Sequence, residues 1–345
     1  MRTPIILCDC EGMEHEKWLE CRMHGPKGDI PYTVGGSDIA VIFGLSPWIT
    51  PLELWMVKKG RLKTPPKANT MQLEMGHMLE PIAAHFFAVK TGYELIKDTN
   101  LYQHPNHPYA LANLDYRYRR PADNETGTMD CKSTTYHKAD AWSDGALPIY
   151  YEMQVRYYMD FHDDRHGAIS CIWGNNPEND MAIPEIVKDS AKIDMIFEKL
   201  EEWNWSLENE KPPKMDGVDP TLAMRSLAKI YGASKKGLPT IEFSSKYERD
   251  LRSIHALQEK ISERREEIRK YEKEVEARSV RIAEIMKEHE HGVLETTNDK
   301  LLIDFVTKTS MRVSTDKLKK EYPKVYEDTR LPSTSRKIKV TVEAA

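Results

Sequence analysis

The residues with the clearest chemical potential lie in the stretch ALANLDYRYRRPADNETGTMDCKST, residues 110–134. If the chain turns in the PADNET loop, the flanking segments pair as antiparallel strands, and residues whose numbers sum to about 245 to 247 face each other. Asp115 then faces Asp130 or Lys132. Because side chains alternate along a strand, Asp130 and Lys132 share one face. The hairpin is therefore expected to gather two carboxylates and one ammonium group.

Such a patch suits metal-assisted chemistry on phosphates. Two carboxylates a few ångströms apart repel each other unless a cation neutralises them, and hard oxygen ligands favour Mg²⁺ or Mn²⁺. A neighbouring lysine can orient or help deprotonate a water molecule and can stabilise charge that develops on a phosphate. Glu80 would add a third carboxylate. Gln154 and Tyr158 share one face of a predicted helix and offer an amide and a phenol to a phosphodiester. On spacing alone, however, a D-x-K pattern is more often a surface ion pair.

Helical periodicity predicts the elements that carry Glu80 and the chain before it. Helices are predicted over residues 14–24, 39–44, 52–60 and 71–90. Ser37 is predicted to cap the second of these, and Pro81 to kink or restart the last directly after Glu80. The residues predicted to form the buried stripe of that last helix are Met75, Met78, Leu79, Ile82, Ala83, Phe86 and Phe87.

The pattern then changes to period 2, which predicts consecutive strands. These are YELIKD, NLYQH, YALANLDYRYR and GTMDCKST, followed by a helix IYYEMQVRYYMDF, a strand HGAISCIWG, a short strand near MAIPEIV and a helix over about residues 189–208. This order predicts an α/β core with a mixed central sheet flanked by helices, ending near residue 215.

Composition limits the function classes. The 345 residues carry 50 Lys and Arg against 55 Asp and Glu, a net charge of −5, which argues against a polybasic nucleic-acid coat. Apolar runs are too short for a membrane helix or a signal peptide, so a cytoplasmic protein is expected. Five scattered cysteines fit a reducing compartment, and the absence of a G-x-x-x-x-G-K-S/T loop disfavours an ATP-driven motor.

The C-terminal region differs from the core. Residues 216–245 are predicted to be a linker, 246–292 a long, charged, coiled-coil-like helix, and 293–345 a small basic α+β tail. Between Lys300 and Val340, eleven Lys or Arg stand against five Asp or Glu, so this tail could hold a polyanion. The positions of the predicted apolar seam are Tyr247, Ile254, Ile261, Ile268, Val275 and Ile282. Since most of the complementary positions are polar, packing on the same chain or in a short helical hairpin is expected rather than a long dimeric coil.

Six motifs occur in order along the first part of the chain. They are a W-x-x-x-R helix from Trp18 to Arg22, GGSDIAVIFGLSPWITPLELW at 35–55, GHMLEP at 76–81, ANLDYRY at 112–118, GTMDCK at 127–132 and QVRYY at 154–158. Through these motifs, most of residues 14–213 resembles the phage-type recombination exonucleases of the YqaJ and lambda-exonuclease group. That group belongs to the PD-(D/E)-x-K nuclease superfamily.

The resemblance implies a function, a cofactor and partners. Such enzymes are metal-dependent exonucleases that degrade one strand of linear double-stranded DNA from its end, usually 5′ to 3′. The remaining single strand is passed to an annealing protein in phage-type recombination. The resemblance also implies Mg²⁺, with Mn²⁺ as a substitute, and a homo-oligomer that can form a ring around DNA. No membrane association is implied, and the location is the host cytoplasm if the protein is phage-encoded.

Carried over by motif, the resemblance also implies roles for particular residues. Asp115 and Asp130 correspond to metal ligands, with Glu80 as a supporting acid at the metal, and Lys132 corresponds to the catalytic lysine. The remaining implied site residues are Gln154 and Tyr158, as a Q-x-x-x-Y element, and Arg22 and Ser37, as the holders of a terminal 5′-phosphate. Position 130 is Asp where this group more often has Glu, which shifts the metal by about one methylene.

Alternatives remain open at this level. The protein could be a structure-specific endonuclease of the same superfamily, or a non-catalytic adaptor for DNA ends or an annealing protein. The segment from His162 to His166 invites a metal interpretation but is more typical of a polar turn. The tyrosines at 150, 151, 157 and 158 could stack on bases, although core packing is the more frequent role of such a cluster.

Overall fold

A computed structural model describes residues 3–63, 70–330 and 338–342, without the side chains of Thr70 and Gln72. The chain divides into two compact units, Met1–Gly232 and Ala233–Ala345. None of the helices within the described ranges has both the length and the apolar character that crossing a bilayer requires.

The first unit alternates helices and strands. Its strands are β1 (Ile5–Asp9), β2 (Glu94–Lys97), β3 (Asn100–Gln103), β4 (Leu111–Asn113), β5 (Tyr116–Arg119), β6 (Thr126–Ser133), β7 (His166–Ile172), β8 (Met181–Ala182) and β9 (Glu185–Val187). Its α-helices are α1 (His15–His24), α2 (Gly36–Ile42), α3 (Pro51–Lys58), α4 (Thr70–Thr91), α5 (Ile149–His162), α6 (Ser190–Glu208) and α7 (Pro220–Tyr231), and a 3₁₀ segment covers Tyr136–Gly145.

The main sheet is mixed. Its strand order is β2-β5-β6-β7-β8, with β9 also paired to β7. The β6–β7 pair is parallel and the other pairs are antiparallel. Helices α4 and α5 both pack against β6 and β7, and α2 and α6 pack against α5. The predicted α/β architecture, a mixed central sheet flanked by helices, is therefore confirmed.

The hairpin predicted around the PADNET turn is also confirmed. Tyr116 pairs with Met129 and Arg117 with Thr128. Because this register is fixed by the position of the turn, extending it by one residue places Asp115 opposite Asp130.

The segment YALANLDYRYR, predicted as one strand, is instead divided between two sheets. β4 pairs with β3, which pairs with β1 in a separate three-stranded sheet, whereas β5 belongs to the main sheet. The buried Leu114 lies at the break, and the Tyr157 hydroxyl donates to the Leu111 carbonyl at 2.9 Å. Because β4 is held by the second sheet and by α5, Asp115 lies at the point where the chain passes from one sheet to the other.

Helix α4 departs from its prediction in its buried face, and at Pro81 it continues as one helix instead of restarting. Its buried face consists of Ala83, Ala84 and Phe87, and the Ser170 hydroxyl donates to the Ala83 carbonyl at 2.8 Å. Contacts with the sheet therefore hold the helix together across the proline. The predicted stripe is only partly buried, since Met75, Met78 and Ile82 are exposed.

Helix α7 lies within the segment predicted as a linker. The Asp219 side chain caps its start by accepting from the Leu222 N–H at 2.8 Å. On its inner face Ser226 donates to the buried Glu53 of α3, and Lys229 Nζ donates to the same carboxylate at 2.7 Å. This network attaches α7 to α3, so the first unit extends to Gly232 rather than ending near residue 215.

The second unit contains a long helix followed by smaller elements. These are α8 (Glu248–Met286), β10 (His291–Glu295), β11 (Lys300–Asp304), α9 (Thr315–Glu321) and α10 (Pro323–Thr329), with β10 and β11 forming an antiparallel hairpin. The predicted strand at KLLIDFVTK and helix at TDKLKKEY are present as β11 and α9. The predicted strand SRKIKVTVE, residues 335–343, lies partly outside the described residues, and its described part, 338–342, forms no strand.

In the part of the chain that the structure describes, helix α8 packs on its own chain near its beginning and at its end, where Met286 is buried against Gly292. Gln258 donates to the Ile338 carbonyl at 2.8 Å and accepts from the Val340 N–H at 3.1 Å. Further along, the seam residues from position 261 to position 282 are exposed. The expected packing of α8 on its own chain is therefore present at the two ends of the helix, whereas the seam residues between them are exposed among the described residues.

Candidate active site

The β5–β6 hairpin brings the two predicted aspartates together. Asp115 lies just before β5, opposite Asp130 on β6. The Asp115 Oδ2 atom accepts a hydrogen bond from the Cys131 backbone N–H at 2.8 Å. The backbone of the facing strand therefore sets the position of this carboxylate.

Lys132 and Gln154 hold Asp130 through its two oxygens. Lys132 lies two residues beyond Asp130 on the same face of β6, and its Nζ atom pairs with Asp130 Oδ2. Gln154 Nε2, on α5, donates to Asp130 Oδ1 at 3.1 Å and to the Tyr158 hydroxyl at 3.3 Å. The shared face predicted for Gln154 and Tyr158 is confirmed, because one turn of α5 places both groups at the same aspartate.

Glu80 reaches this group from α4. It lines a cavity of about 400 Å³ together with Asp115 and Lys132. The other residues that line this cavity are Leu73, Gly76, His77, Cys131 and Ser133. His77 is not among the predicted site residues, although its spacing of three from Glu80 on one helix was a usable signal. Its Nδ1 atom lies 4.0 Å from Glu80 Oε2.

Enclosure and like charges shift the pKa values of these groups. The pKa of Asp115 is raised to about 8, first by removal from water and then by the charges of Asp130 and Glu80. Removal from water also raises the pKa of Glu80, with a further rise caused by Asp130. Burial by itself lowers the pKa of Lys132, but the charges of Asp130 and Asp115 outweigh it, so the net shift is upward. The ammonium therefore keeps its proton at neutral pH.

The carboxylates fit a divalent cation. Asp115, Asp130 and Glu80 are hard oxygen donors, and the raised pKa values of Asp115 and Glu80 show that burial, together with neighbouring carboxylates, disfavours their charged forms when no cation is near. Mg²⁺ and Mn²⁺ prefer such ligands and would supply the missing positive charge. Asp115 and Glu80 line the cavity, and Asp130 adjoins it through Lys132, so these three residues are the candidate ligands for a metal ion here.

Arg22, on α1, is brought beside Tyr158 by a pair of glycines. A Cβ atom on Gly35 would lie 3.0 Å from Arg22 Nη2, and one on Gly36 would lie 2.4 Å from the Tyr158 ring. Burial raises the pKa of Tyr158 to about 12, the nearby carboxylates add to the rise, and Arg22 opposes it. The predicted phosphate-binding arginine and the carboxylate group therefore meet at one tyrosine. The packing role of the two glycines is visible only in the folded chain.

Ser37 lies in the first turn of α2, immediately after these glycines. The prediction that it caps this helix is wrong. Gly35 is the N-cap residue, and its N–H donates to the Asp38 side chain at 3.0 Å. Because Asp38 satisfies that N–H, the Ser37 side chain is left exposed.

A second acidic group lies at the opposite end of β6. The ligand atoms of Asp123, Glu125 and His166 are within 4.8 Å of one another. Glu125 pairs with Arg165 at 2.9 Å and with His166 at 3.0 Å, and Asp123 pairs with another arginine at 3.3 Å. Since both carboxylates have cationic partners, we interpret this group as a network of ion pairs.

Comparison with known proteins finds a family that the segment containing the candidate site resembles. Residues 17–163 match the family model of the YqaJ-like viral recombinase domain. This range contains every predicted site residue. An uncharacterized protein YqaJ of Bacillus subtilis (strain 168) is 27% identical over 325 residues, which cover 93% of this chain and 92% of that protein. The family resemblance inferred from the six motifs is confirmed.

Two solved structures also resemble the chain. An alkaline exonuclease (LHK-Exo) from Laribacter hongkongensis is 17% identical, with a TM-score of 0.46 over 57% of this chain and 94% of that one. A phage related exonuclease from Haemophilus somnus 129PT is 16% identical, with a TM-score of 0.40 over 51% of this chain and 94% of that one.

Proposed function

We propose that this chain, whose residues 17–163 match the YqaJ-like viral recombinase domain, is a metal-dependent exonuclease. It degrades one strand of linear double-stranded DNA from the 5′ end and leaves a single strand for recombination by annealing. The observation that supports the proposal is that Glu80, Asp115 and Lys132 line one cavity and that Lys132 pairs there with the buried Asp130. A protein that only binds DNA ends has no use for carboxylates that raise one another's pKa.

Each residue has a defined task in this proposal. A bound Mg²⁺ ion would neutralise the carboxylates and polarise the scissile phosphate. Asp115 and Asp130, with Glu80, hold the ion. Because the pKa of Lys132 is raised, its ammonium orients the attacking water and stabilises charge developing on the phosphate, and it does not serve as the base. Gln154 fixes the Asp130 carboxylate through Oδ1.

The terminal phosphate is assigned to Arg22 and the exposed Ser37. The Arg22 guanidinium lies 4.6 Å from the centroid of the Trp18 ring and next to Gly35, which limits its orientations. A fixed guanidinium suits recognition of a phosphate by paired hydrogen bonds. We also propose a homo-oligomer, a single-strand annealing partner and a cytoplasmic location.

The first test compares three forms of one DNA with Mg²⁺ present. A linear duplex with 5′-phosphates should be digested fastest, the same duplex with 5′-hydroxyls more slowly, and a closed circle not at all. In Arg22→Ala, the digestion rates of the 5′-phosphorylated and 5′-hydroxyl duplexes should become nearly equal, because the substitution removes a charge-assisted contact to the phosphate. Digestion of the closed circle would instead favour the structure-specific endonuclease, and binding of ends without any digestion would favour the adaptor.

The second prediction concerns pH. The folded, metal-free protein holds a proton on Asp115 up to about pH 8, whereas the unfolded chain releases it near pH 4. Metal-free stability therefore falls as pH rises through this window, and Mg²⁺ competes better as the proton leaves. The increase in melting temperature caused by MgCl₂ should be larger at about pH 9 than at about pH 6.

Asp115→Asn is the control for this measurement, because it has no carboxyl proton to lose. The increase in its melting temperature caused by MgCl₂ should be small and nearly the same at both pH values. An equal increase in the melting temperature of the wild-type protein at both pH values would contradict the assignment of Asp115 as a metal ligand.

A further inference from the structure

An exposed group of aromatic side chains begins at the candidate catalytic lysine. Lys132 Nζ lies 5.2 Å from the centroid of the Tyr151 ring. Trp48 lies 6.5 Å from Tyr151 and 5.0 Å from Tyr150, measured between ring centroids. We define Trp48, Tyr150 and Tyr151 as the aromatic shelf. The shelf is therefore continuous with the site that contains Asp130.

The outer residue of the shelf is unusually exposed for its type. Trp48 is 53% exposed, although tryptophan is a large apolar residue that is mostly buried in folded proteins. The four clustered tyrosines now separate into two pairs. Tyr157 and Tyr158 are buried in the core, whereas Tyr150 and Tyr151 are only partly buried. Core packing thus explains the second pair of tyrosines but does not explain Trp48.

The exposed indole is held on a fixed backbone. The backbone N–H of Trp48 donates to the hydroxyl of the buried Ser46 at 3.2 Å, and the backbone carbonyl of Trp48 accepts from the Arg225 side chain of α7 at 3.2 Å. Two residues later Thr50 caps α3 by accepting from the Glu53 N–H at 3.1 Å. The loop between α2 and α3 is therefore anchored on both sides of the indole, which favours a preformed contact surface.

An aromatic surface of this kind fits an unpaired nucleobase. Every base has an apolar π-face, so stacking on an aromatic ring tolerates any sequence, as an enzyme that degrades a whole strand requires. Paired bases inside a duplex already stack on each other and do not offer that face. Because Lys132 is next to Tyr151, the phosphate of a nucleotide whose base stacks on the shelf would lie close to the ammonium group.

We propose that the aromatic shelf stacks on an unpaired base of the strand being cut, next to the scissile phosphate, with Trp48 as the principal contact. The inference rests on the proposed nuclease function and extends it from the phosphate to the base. Trp48 thereby positions the nucleotide, while Tyr151 connects the shelf to the ammonium of Lys132.

The test compares DNA ends that lack one base at a time. Fluorescence anisotropy would measure the affinity for a short 5′-phosphorylated duplex, with Ca²⁺ replacing Mg²⁺ to prevent turnover. A stable abasic nucleotide is moved stepwise from the 5′ end along the first strand, and then along the other strand. Wild-type protein should lose about 5- to 100-fold in affinity when the abasic nucleotide occupies one position near the 5′ end.

Three variants separate the shelf from a general effect on folding. Trp48→Ala should bind the intact duplex as weakly as the wild type binds the critical abasic duplex, and should show no positional dependence. Trp48→Phe should retain most of the affinity for the intact duplex and most of its dependence on the abasic position, because it keeps an aromatic face. Trp205→Ala is the matched control, since Trp205 lies on α6 of the same unit and is 50% exposed, and it should behave like the wild type.

The outcomes are decisive in both directions. Unchanged positional dependence in Trp48→Ala, or dependence confined to the uncut strand, would overturn the shelf assignment even if the protein digests linear DNA normally. If no DNA is digested under any condition but the positional dependence is present and lost in Trp48→Ala, the base contact is supported and the nuclease proposal fails.

Discussion

Replacing Asp115 by asparagine is expected to slow the digestion of linear duplex DNA by about three orders of magnitude, which corresponds to about 4 kcal/mol of lost charge stabilisation. The substitution keeps the shape of the side chain. Its oxygen can still accept from the Cys131 N–H, which Asp115 Oδ2 accepts at 2.8 Å. The effect should therefore arise from the lost charge and not from a rearranged hairpin.

The melting temperature of the same variant should be retained. Because the pKa of Asp115 is raised, the folded protein disfavours its charge at alkaline pH, so Asp115→Asn should melt no lower than the wild type without metal. Asp123→Asn, in the turn of the same hairpin, is a matched control that should digest DNA normally. Wild-type digestion rates in purified Asp115→Asn would refute the assignment of the active site.

Replacing Lys132 by alanine is expected to lower digestion by about 100-fold or more, because the site loses the cation that faces the phosphate. This variant should also be less stable, unlike Asp115→Asn. Asp130 is 2% exposed, and removing its partner leaves a buried carboxylate without its cation, at a cost on the order of 3 kcal/mol.

A double variant distinguishes the two effects of Lys132. Asp130→Asn combined with Lys132→Ala removes both charges, so its melting temperature should recover toward the wild type while digestion stays low. Lys188→Ala is the matched control, because Lys188 pairs with Asp163 and has a similar exposure, 22% against 19% for Lys132. Full digestion by Lys132→Ala at a wild-type melting temperature would contradict both roles of the lysine.

Short-range patterns account for the parts of the site that the sequence predicted correctly. The PADNET turn and the alternation along GTMDCKST set the register in which Tyr116 pairs with Met129, and this register places Asp115 opposite Asp130. The spacing of four between Gln154 and Tyr158 placed both on one face of α5, where they meet beside Asp130. Each of these relations involves neighbours in a strand, a turn or a helix, whose geometry repeats regularly.

The errors lie where distant segments compete with the local pattern. The alternation of YALANLDYRYR continues through Leu114, but pairing with β3 and β1 draws its first half into another sheet. The apolar spacing of α4 is regular, yet the sheet covers Ala83, Ala84 and Phe87 and leaves Met75 and Met78 exposed. Ser37 has the right type for a helix cap, but the helix begins earlier, so Gly35 is the N-cap residue and its N–H donates to the Asp38 side chain.

The sequence by itself determined the hairpin and most of the helices and strands around it, because local periodicity and turn chemistry encode them, and it offered the carboxylates and the lysine as candidates. Only the tertiary structure decided that Glu80 joins Asp115 at one cavity, that Gly36 makes room for Tyr158, and that Trp48 stays exposed beside the site. It also decided the charge balance. Enclosure and facing charges raise the pKa of Asp115 to about 8, and both depend on segments that are far apart in the chain and meet only on folding.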